Sequence, residues 1–389
     1  TDGSQLFSLE RDTELLTLTL HPGSAYQAVF KMIIEGGESK SFILPTDNDA
    51  SWRFGYVLKN GLTCLKEVFT PTGGHETVTY SDRPHYFPGL NESTLPRVKT
   101  HISDPGCKQP AIETRYEYDE NDYNFLGRGS GVSWNDDGLD NLYRARSDYQ
   151  YETTQILWDA EIDKAVSRTR RVFNRFHLLT LEETTQHSTD PDKGDTYHRI
   201  DTDYYIKPDL SFEEQDPYCQ LPKSVTKTWR RANTTTPRHV ETVTTTYDDF
   251  GNLLTQVNAN GVTETSEWYD KAGEQDEQGR WLCPADPQGF VRNLKSKTVT
   301  PAKSDHGNAP TLQTRYSYTA ELGLANAGPW LAMADETLMQ VGQAKALQVT
   351  AYNYINEPNN PLEHGRKLQD TVTLDGNTTT TRYNYKPDT

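Results

Sequence analysis

Over residues 112–119 the chain alternates with a period of two. Ile112, Thr114, Tyr116 and Tyr118 fall on one face, and Glu113, Arg115, Glu117 and Asp119 on the other. That is the pattern of a strand with one face packed and one face wet. It returns as Thr314-Arg315-Tyr316-Ser317-Tyr318 and as Thr381-Arg382-Tyr383-Asn384-Tyr385, with related pieces at Tyr149-Gln150-Tyr151 and Tyr352-Asn353-Tyr354. Thr and Tyr suit a pleated, half-buried surface. Shorter strand-like runs at 14–20 and 76–80 are punctuated by Gly and Pro. Only 329–341 predicts a helix. Recurrence of one short pattern is a repeat signal, and the expected fold is all-β.

The clearest unit begins Tyr247-Asp248-Asp249-Phe250-Gly251-Asn252-Leu253, continues through Asn260-Gly261-Val262-Thr263 and closes on Trp268-Tyr269-Asp270. A second unit opens at once with Tyr269-Asp270-Lys271-Ala272-Gly273. Asp248 is placed to accept hydrogen bonds from the turn backbone, and Gly251 supplies the positive φ of a tight turn. Asn260-Gly261 is a strong two-residue hairpin signal. One hairpin cannot bury its face alone, whereas stacked hairpins can. Residues 1–110 form a β-rich segment with a weaker pattern. Residues 111–389 carry the repeat cadence, interrupted by Gly/Asp-rich insertions near 121–146 and 271–292. No low-complexity linker separates them.

Composition sharpens this picture. The 22 Tyr and 7 Trp argue against disorder, and a chain that packs Tyr must find partners for its hydroxyls. That favours thin sheet walls wet on both sides over a thick dry core. With 56 acidic residues against 39 basic ones, nucleic acid is excluded as the expected partner, because phosphate binding needs clustered Lys and Arg. The longest basic cluster is Arg168, Arg170, Arg171 and Arg175. Cys64, Cys107, Cys219 and Cys283 lie far apart without a CxxC pair and read as free thiols. No run approaches the ~20 apolar residues of a membrane span. Thr1 is not an initiator Met, so a fragment of a longer protein is expected.

The unit at 247–270 resembles the YD repeat of Rhs proteins, teneurins and insecticidal toxin complexes: Tyr-Asp, then Gly, then Leu, a second Gly, and a new Tyr-Asp. Tyr247, Asp248, Gly251, Leu253, Gly261, Tyr269, Asp270 and Gly273 fill those positions, and Tyr116, Tyr118, Tyr316, Tyr318, Tyr383 and Tyr385 mark the looser repeats. Asn124-Phe125-Leu126-Gly127, Gly131-Val132-Ser133-Trp134 and Asn174-Arg175-Phe176-His177-Leu178-Leu179 look like stretches of large bacterial members. The resemblance implies a spiralling β-sheet wound into a hollow shell, secreted as part of a larger bacterial protein. In the toxin families such a shell encloses a C-terminal toxic segment; in teneurins a related barrel serves adhesion. Its implied partners are the rest of the parent polypeptide or a toxin-complex subunit. No cofactor is implied.

Other chemistries compete with this structural role. Asp286-Pro287-Gln288-Gly289 resembles the Asp-Pro-x-Gly self-cleavage motif of Rhs shells, but lies mid-chain with Phe290 after it; Asp, Pro and Gly are also ordinary turn formers. Asp190, Asp192 and Asp195 resemble a calcium loop without its closing Glu, and Asn135-Asp136-Asp137-Gly138-Leu139-Asp140-Asn141 is similar; a solvated turn is the simpler expectation for both. Glu182 and Glu183 with Asp159 or Glu161 offer a glycosidase-like carboxylate pair, which an acidic chain supplies by chance. Gly127-Arg128-Gly129-Ser130-Gly131 lacks the spacing of a nucleophile elbow. Trp134, Tyr143, Trp158, Trp229, Trp268 and Trp281 form either a glycan platform or packing between hairpins. A glycan- or cell-surface-binding module is therefore the alternative function, and a carboxylate hydrolase a third.

Overall fold

A computed structural model describes residues 5–188, 190, 193–231, 234–305, 307, 309–320, 322–323, 330–360 and 362–385. Among them there is no α-helix, only 3-10 turns at Asn141–Arg144 and Phe212–Glu214. The fold is all-β and antiparallel. It divides into two compact units: residues 1–201 with 208–214 and 228–239, and residues 202–207 and 215–227 with 240–389.

The first unit is a meander. Phe7–Arg11 pairs with Leu15–Leu20, and each following strand pairs with its predecessor through His75–Tyr80. A small hairpin, His85–Phe87 with Leu90–Leu95, steps aside before Val98–Asp104 returns to pair with His75–Tyr80. Val98–Asp104 then pairs with Ile112–Tyr118, so residue 110 falls in the connection between two bonded strands. The long strands Gln150–Asp159, Lys164–Asn174 and Leu179–Gln186 extend the ladder. Among the described residues its buried cluster is Leu142, Ala145, Tyr149 and Tyr151, with Val132 and Phe173 against it. The insertion at 121–146 thus builds core here, covering the sheet with Leu142 and the fully buried Asn124.

In the second unit, His239–Tyr247, Leu253–Val257, Thr263–Trp268, Leu294–Thr300, Leu312–Thr319, Ala332–Gln340, Ala346–Tyr354, Lys367–Leu374 and Asn377–Arg382 pair in chain order. Most of their residues are half-buried on both faces, as expected of a single layer. The insertion at 271–292 folds a two-stranded flap, Glu274–Gln275 with Trp281–Cys283, over that layer.

The helix expected at 329–341 is a strand, Ala332–Gln340; Pro329 lies outside the described residues. Ala, Glu, Leu and Met there favour a helix locally, but propensity is a weak prior beside tertiary context. Both edges of the segment are bonded, to Leu312–Thr319 and to Ala346–Tyr354. Two ladders outweigh a few tenths of a kcal/mol per residue.

Candidate functional site

The repeat positions converge on two devices, a turn and a cross-strand bond. In the turn, the Asp248 carboxylate accepts from Phe250 N at 2.9 Å and Asn252 N at 2.8 Å, while Gly251 N donates to Asp248 O at 3.1 Å with φ at +82°. Asp270 repeats this with Ala272 N at 2.9 Å, and Gly273 N donates to Asp270 O at 2.9 Å. The same turn recurs at Asp276 and at Asp286, in each case with a positive-φ Gly three residues on. Asn174 builds it with His177 in the glycine place, at φ +60°. A side chain is strained there; His177 is held by Asp140 at 2.6 Å and Tyr151 at 2.8 Å.

The second device explains the tyrosines. Among the described residues eleven strand pairings carry one extra residue, a bulge that breaks the local ladder, and seven of them share a further feature. In these seven the residue before the extra one is Ser39, Leu65, Val98, Leu253, Leu294, Met333 or Lys367. Its carbonyl then accepts a bond from an aromatic side chain on the next stretch of the main ladder. The donors, in order, are Tyr56 (2.8 Å), Tyr80 (2.6 Å), Tyr118 (2.9 Å), Trp268 Nε1 (2.9 Å), Tyr318 (3.1 Å), Tyr354 (2.8 Å) and Tyr385 (2.8 Å). The donors are chained. Trp268 faces the bulge at Leu294, whose carbonyl takes Tyr318; Tyr318 faces Met333, which takes Tyr354; Tyr354 faces Lys367, which takes Tyr385. A hydroxyl or indole N–H can satisfy a carbonyl at that reach, and Phe cannot.

Tyr247 faces the bulge at Leu253, and Tyr269, almost fully buried, donates to Tyr316 O at 2.8 Å. Burial holds the Tyr269 hydroxyl above its ordinary range and pushes Tyr318 up to about 12, so both stay donors at neutral pH. Tyr383 bonds Asp370 at 2.7 Å instead. No hydrogen bond from the Tyr116 hydroxyl is formed among the described residues. Gly261 sits at φ +82°, but the loop is longer than the two-residue hairpin expected: Asn258 N donates to Val262 O and Gly261 N to Asn258 O, both at 2.8 Å, and Asn260 is not at positive φ. The sequence reading names Tyr118, Tyr318 and Tyr385 among these donors but not Tyr56, and none of the carbonyls, since a bulge leaves no signal in a polar alternation.

The competing chemistries are largely occupied by structure. The Asp286 carboxylate accepts from Gln288 N (2.9 Å), Phe290 N (3.1 Å) and Arg292 Nε (2.8 Å). Burial raises its pKa, but those donors outweigh it and hold the carboxyl below its ordinary range. A turn carboxylate so engaged is a poor cleavage group. We expect purified chain to stay full length for days, with Asp286→Asn migrating identically on a denaturing gel; two fragments from the wild type alone would reverse this.

Glu182 and Glu183 are consecutive strand residues and face opposite sides; Glu182 pairs with Arg171 at 2.7 Å and Glu183 takes the Tyr197 hydroxyl. Asp159 accepts from Glu161 N at 2.9 Å within its turn. Asp195 holds His187 and Ser188 N, both at 2.9 Å; Asp192 lies outside the described residues. Asp137 and Asp140 hold Leu139 N and Leu142 N. Among the described residues no three acidic, His or Cys side chains gather as a metal set, and none of the four cysteines is bridged.

Beneath the first insertion, Arg97 binds His85 Nδ1 at 3.1 Å and Asp122 at 3.1 Å. Burial, then Arg97, lowers the His85 pKa to about 4, with Asp122 opposing. The folded value lies below the unfolded one, so the unfolded chain takes up the proton first as pH falls. Stability should therefore drop between about pH 6.5 and pH 4, by up to about 3 kcal/mol. Urea midpoints across that range, compared with His85→Gln, check this: the variant should lose most of the slope, and an unchanged slope would contradict it.

Of the candidate aromatic platform, five members are engaged. Trp134 meets Phe87 edge-on at 4.6 Å, Tyr143 stacks on Phe212 at 4.5 Å, and Arg115 covers Trp158 at 3.6 Å. Trp229 stacks on His198 at 4.9 Å and Trp268 belongs to the bulge device. Trp281, 52% exposed, lines a cavity of about 630 Å³.

The chain is similar to Tc toxin structures. No family model matches it, and no curated protein does. A crystal structure of TcdB2-TccC3-Cdc42 matches at 11% identity and TM-score 0.24, over 95% of this chain and 19% of that one. TcdB2-TccC3 matches at 10% and 0.27, over 95% and 19%. A Tc holotoxin pore of Photorhabdus luminescens matches at 11% and 0.23, over 95% and 18%. The chain thus spans about a fifth of the length of each.

Proposed function

We propose that this chain is a wall segment of an Rhs or YD-repeat toxin-type protein, whose work is to enclose or present another segment of the same assembly. The observation that carries this reading is the aromatic bond to the bulge carbonyl. It occurs three times in the first unit and four times in the second. A single-layer sheet lacks a thick core, and at seven bulges this bond ties a strand to its neighbour at the point where the ladder is broken. The Tyr-Asp-x-x-Gly turn then reverses the chain cheaply. Tyr56 and Tyr80 make the same bond as Tyr118, which supports placing 1–110 in the same wall.

The strand edges support the same reading of the partners. Phe7–Arg11 and Asn377–Arg382 each have one bonded side among the described residues, and an open edge presents unpaired backbone groups to another strand. We assign those edges to the remainder of the parent polypeptide or a toxin-complex subunit, and place the whole outside the cell as a secreted protein.

The test uses the full parent protein with a tag on its C-terminal segment. Limited proteolysis should leave the tagged segment protected in the wild type and cut it rapidly in Gly273→Val. If the segment is cut in the wild type as fast as in isolation, this wall encloses nothing.

A further inference from the structure

We propose that the cleft under the 274–283 flap is a binding site for an uncharged oligosaccharide. The inference is independent of any enclosing role. Strands Leu294–Thr300, Leu312–Thr319 and Ala332–Gln340 form its floor, and its volume of about 630 Å³ suits a small ligand, for which pockets of roughly 300–1,000 Å³ are usual.

Charge selects the ligand class. Glu274 is neutralised by Lys295 at 2.7 Å and Asp276 by Arg280 at 2.7 Å. That leaves Glu267, Asp335 and Arg315 lining the same space. Two carboxylates against one guanidinium leave a net charge near -1, which disfavours phosphate and is too small, with the guanidinium among them, to hold a polycation tightly. All three are held for directional bonding. Ser296 Oγ donates to Glu267 at 2.9 Å, Ser317 Oγ donates to Asp335, and Arg315 Nε donates to Gln313 Oε1 at 2.8 Å. Arg315 forms no ion pair among the described residues. Planar acceptors and a planar donor, each pre-oriented, match the vicinal hydroxyls of a sugar ring.

Trp281 supplies the other half of the recognition. Its indole is a flat apolar face at the cavity lining with neither a ring nor a cation stacked on it among the described residues, unlike Trp229, which stacks on His198, or Trp158, which Arg115 covers. A pyranose has one face of C–H groups to lay on it and a rim of hydroxyls to meet the carboxylates and Arg315. A purely apolar ligand would strand those polar groups, at a cost of about 1–3 kcal/mol each.

The experiment titrates the whole chain with tetrasaccharides of glucose, galactose and N-acetylglucosamine, and with inorganic phosphate and spermidine, by calorimetry and tryptophan fluorescence. At least one sugar should bind saturably. Trp281→Ala and Arg315→Gln should each weaken it roughly tenfold or more, with unchanged circular dichroism, and Trp134→Ala should leave it intact. Both test residues are exposed, so folding is spared. No sugar saturating below about 10 mM, binding that survives both changes, or uptake of phosphate or spermidine instead, would overturn the proposal.

Discussion

Gly273→Val should be the most damaging glycine substitution in the second unit, costing about 2–6 kcal/mol. Its φ is +76°, where a β-branched residue is strained by about 1–3 kcal/mol. A Cβ there would also lie 2.3 Å from Cys283 O, 2.6 Å from Pro284 C and 2.7 Å from Ala285 N. Those are backbone atoms, held in place by Asp286 N donating to Lys271 O at 2.9 Å, so overpacking adds about 1–3 kcal/mol. Gly251 and Gly261 have similar φ but more room: Leu221 Cδ1 at 3.7 Å for the first, Ala302 Cβ at 3.1 Å for the second. Denaturant midpoints should therefore rank Gly273→Val well below Gly261→Val, and that below Gly251→Val. Equal losses at all three would mean that φ alone matters and the packing under the flap does not.

The second large effect is cumulative. Tyr318→Phe, Tyr354→Phe and Tyr385→Phe each remove one hydroxyl and leave the ring. A net hydrogen bond is worth about 0.5–1.5 kcal/mol, and more where a buried carbonyl is left unpaired. The triple variant should lose about 3 kcal/mol, as urea denaturation would show. Because Tyr318 and Tyr354 share the bulge at Met333, their double variant should depart from additivity. A triple loss below about 0.5 kcal/mol would reduce these bonds to ornament on an ordinary ladder.

Much of this was legible in the chain. The Tyr-x-Tyr alternation marked strands correctly at 112–118, 314–318 and 352–354, and the Asp-x-x-Gly spacing marked turns that the backbone does form at Asp248 and Asp270. The composition also announced that Tyr would need partners. What stayed hidden was where those partners are. A bulge shifts register by one residue, and nothing in Leu253, Leu294 or Met333 as residues signals an extra neighbour at Leu254, Lys295 or Ala334. The segment 332–340 misled for the opposite reason: its local preference is helical, and only the two flanking ladders decide it. His177 escaped notice as a turn residue because the repeat pattern has Gly in that place. The cleft was missed because its lining runs from Glu267 to Met339, and sequence spacing has no access to such convergence.

The most direct test of the aromatic device compares two tyrosines of one strand, Tyr116 and Tyr118, which lie on the same face of Ile112–Tyr118. Tyr118 donates to Val98 O at 2.9 Å; the Tyr116 hydroxyl makes no hydrogen bond among the described residues. Urea unfolding of the two Tyr→Phe variants should show a loss of about 1 kcal/mol for Tyr118→Phe and less than about 0.5 kcal/mol for Tyr116→Phe. Equal losses, or a larger one for Tyr116→Phe, would contradict the claim that bulge carbonyls and aromatic donors hold these sheets together.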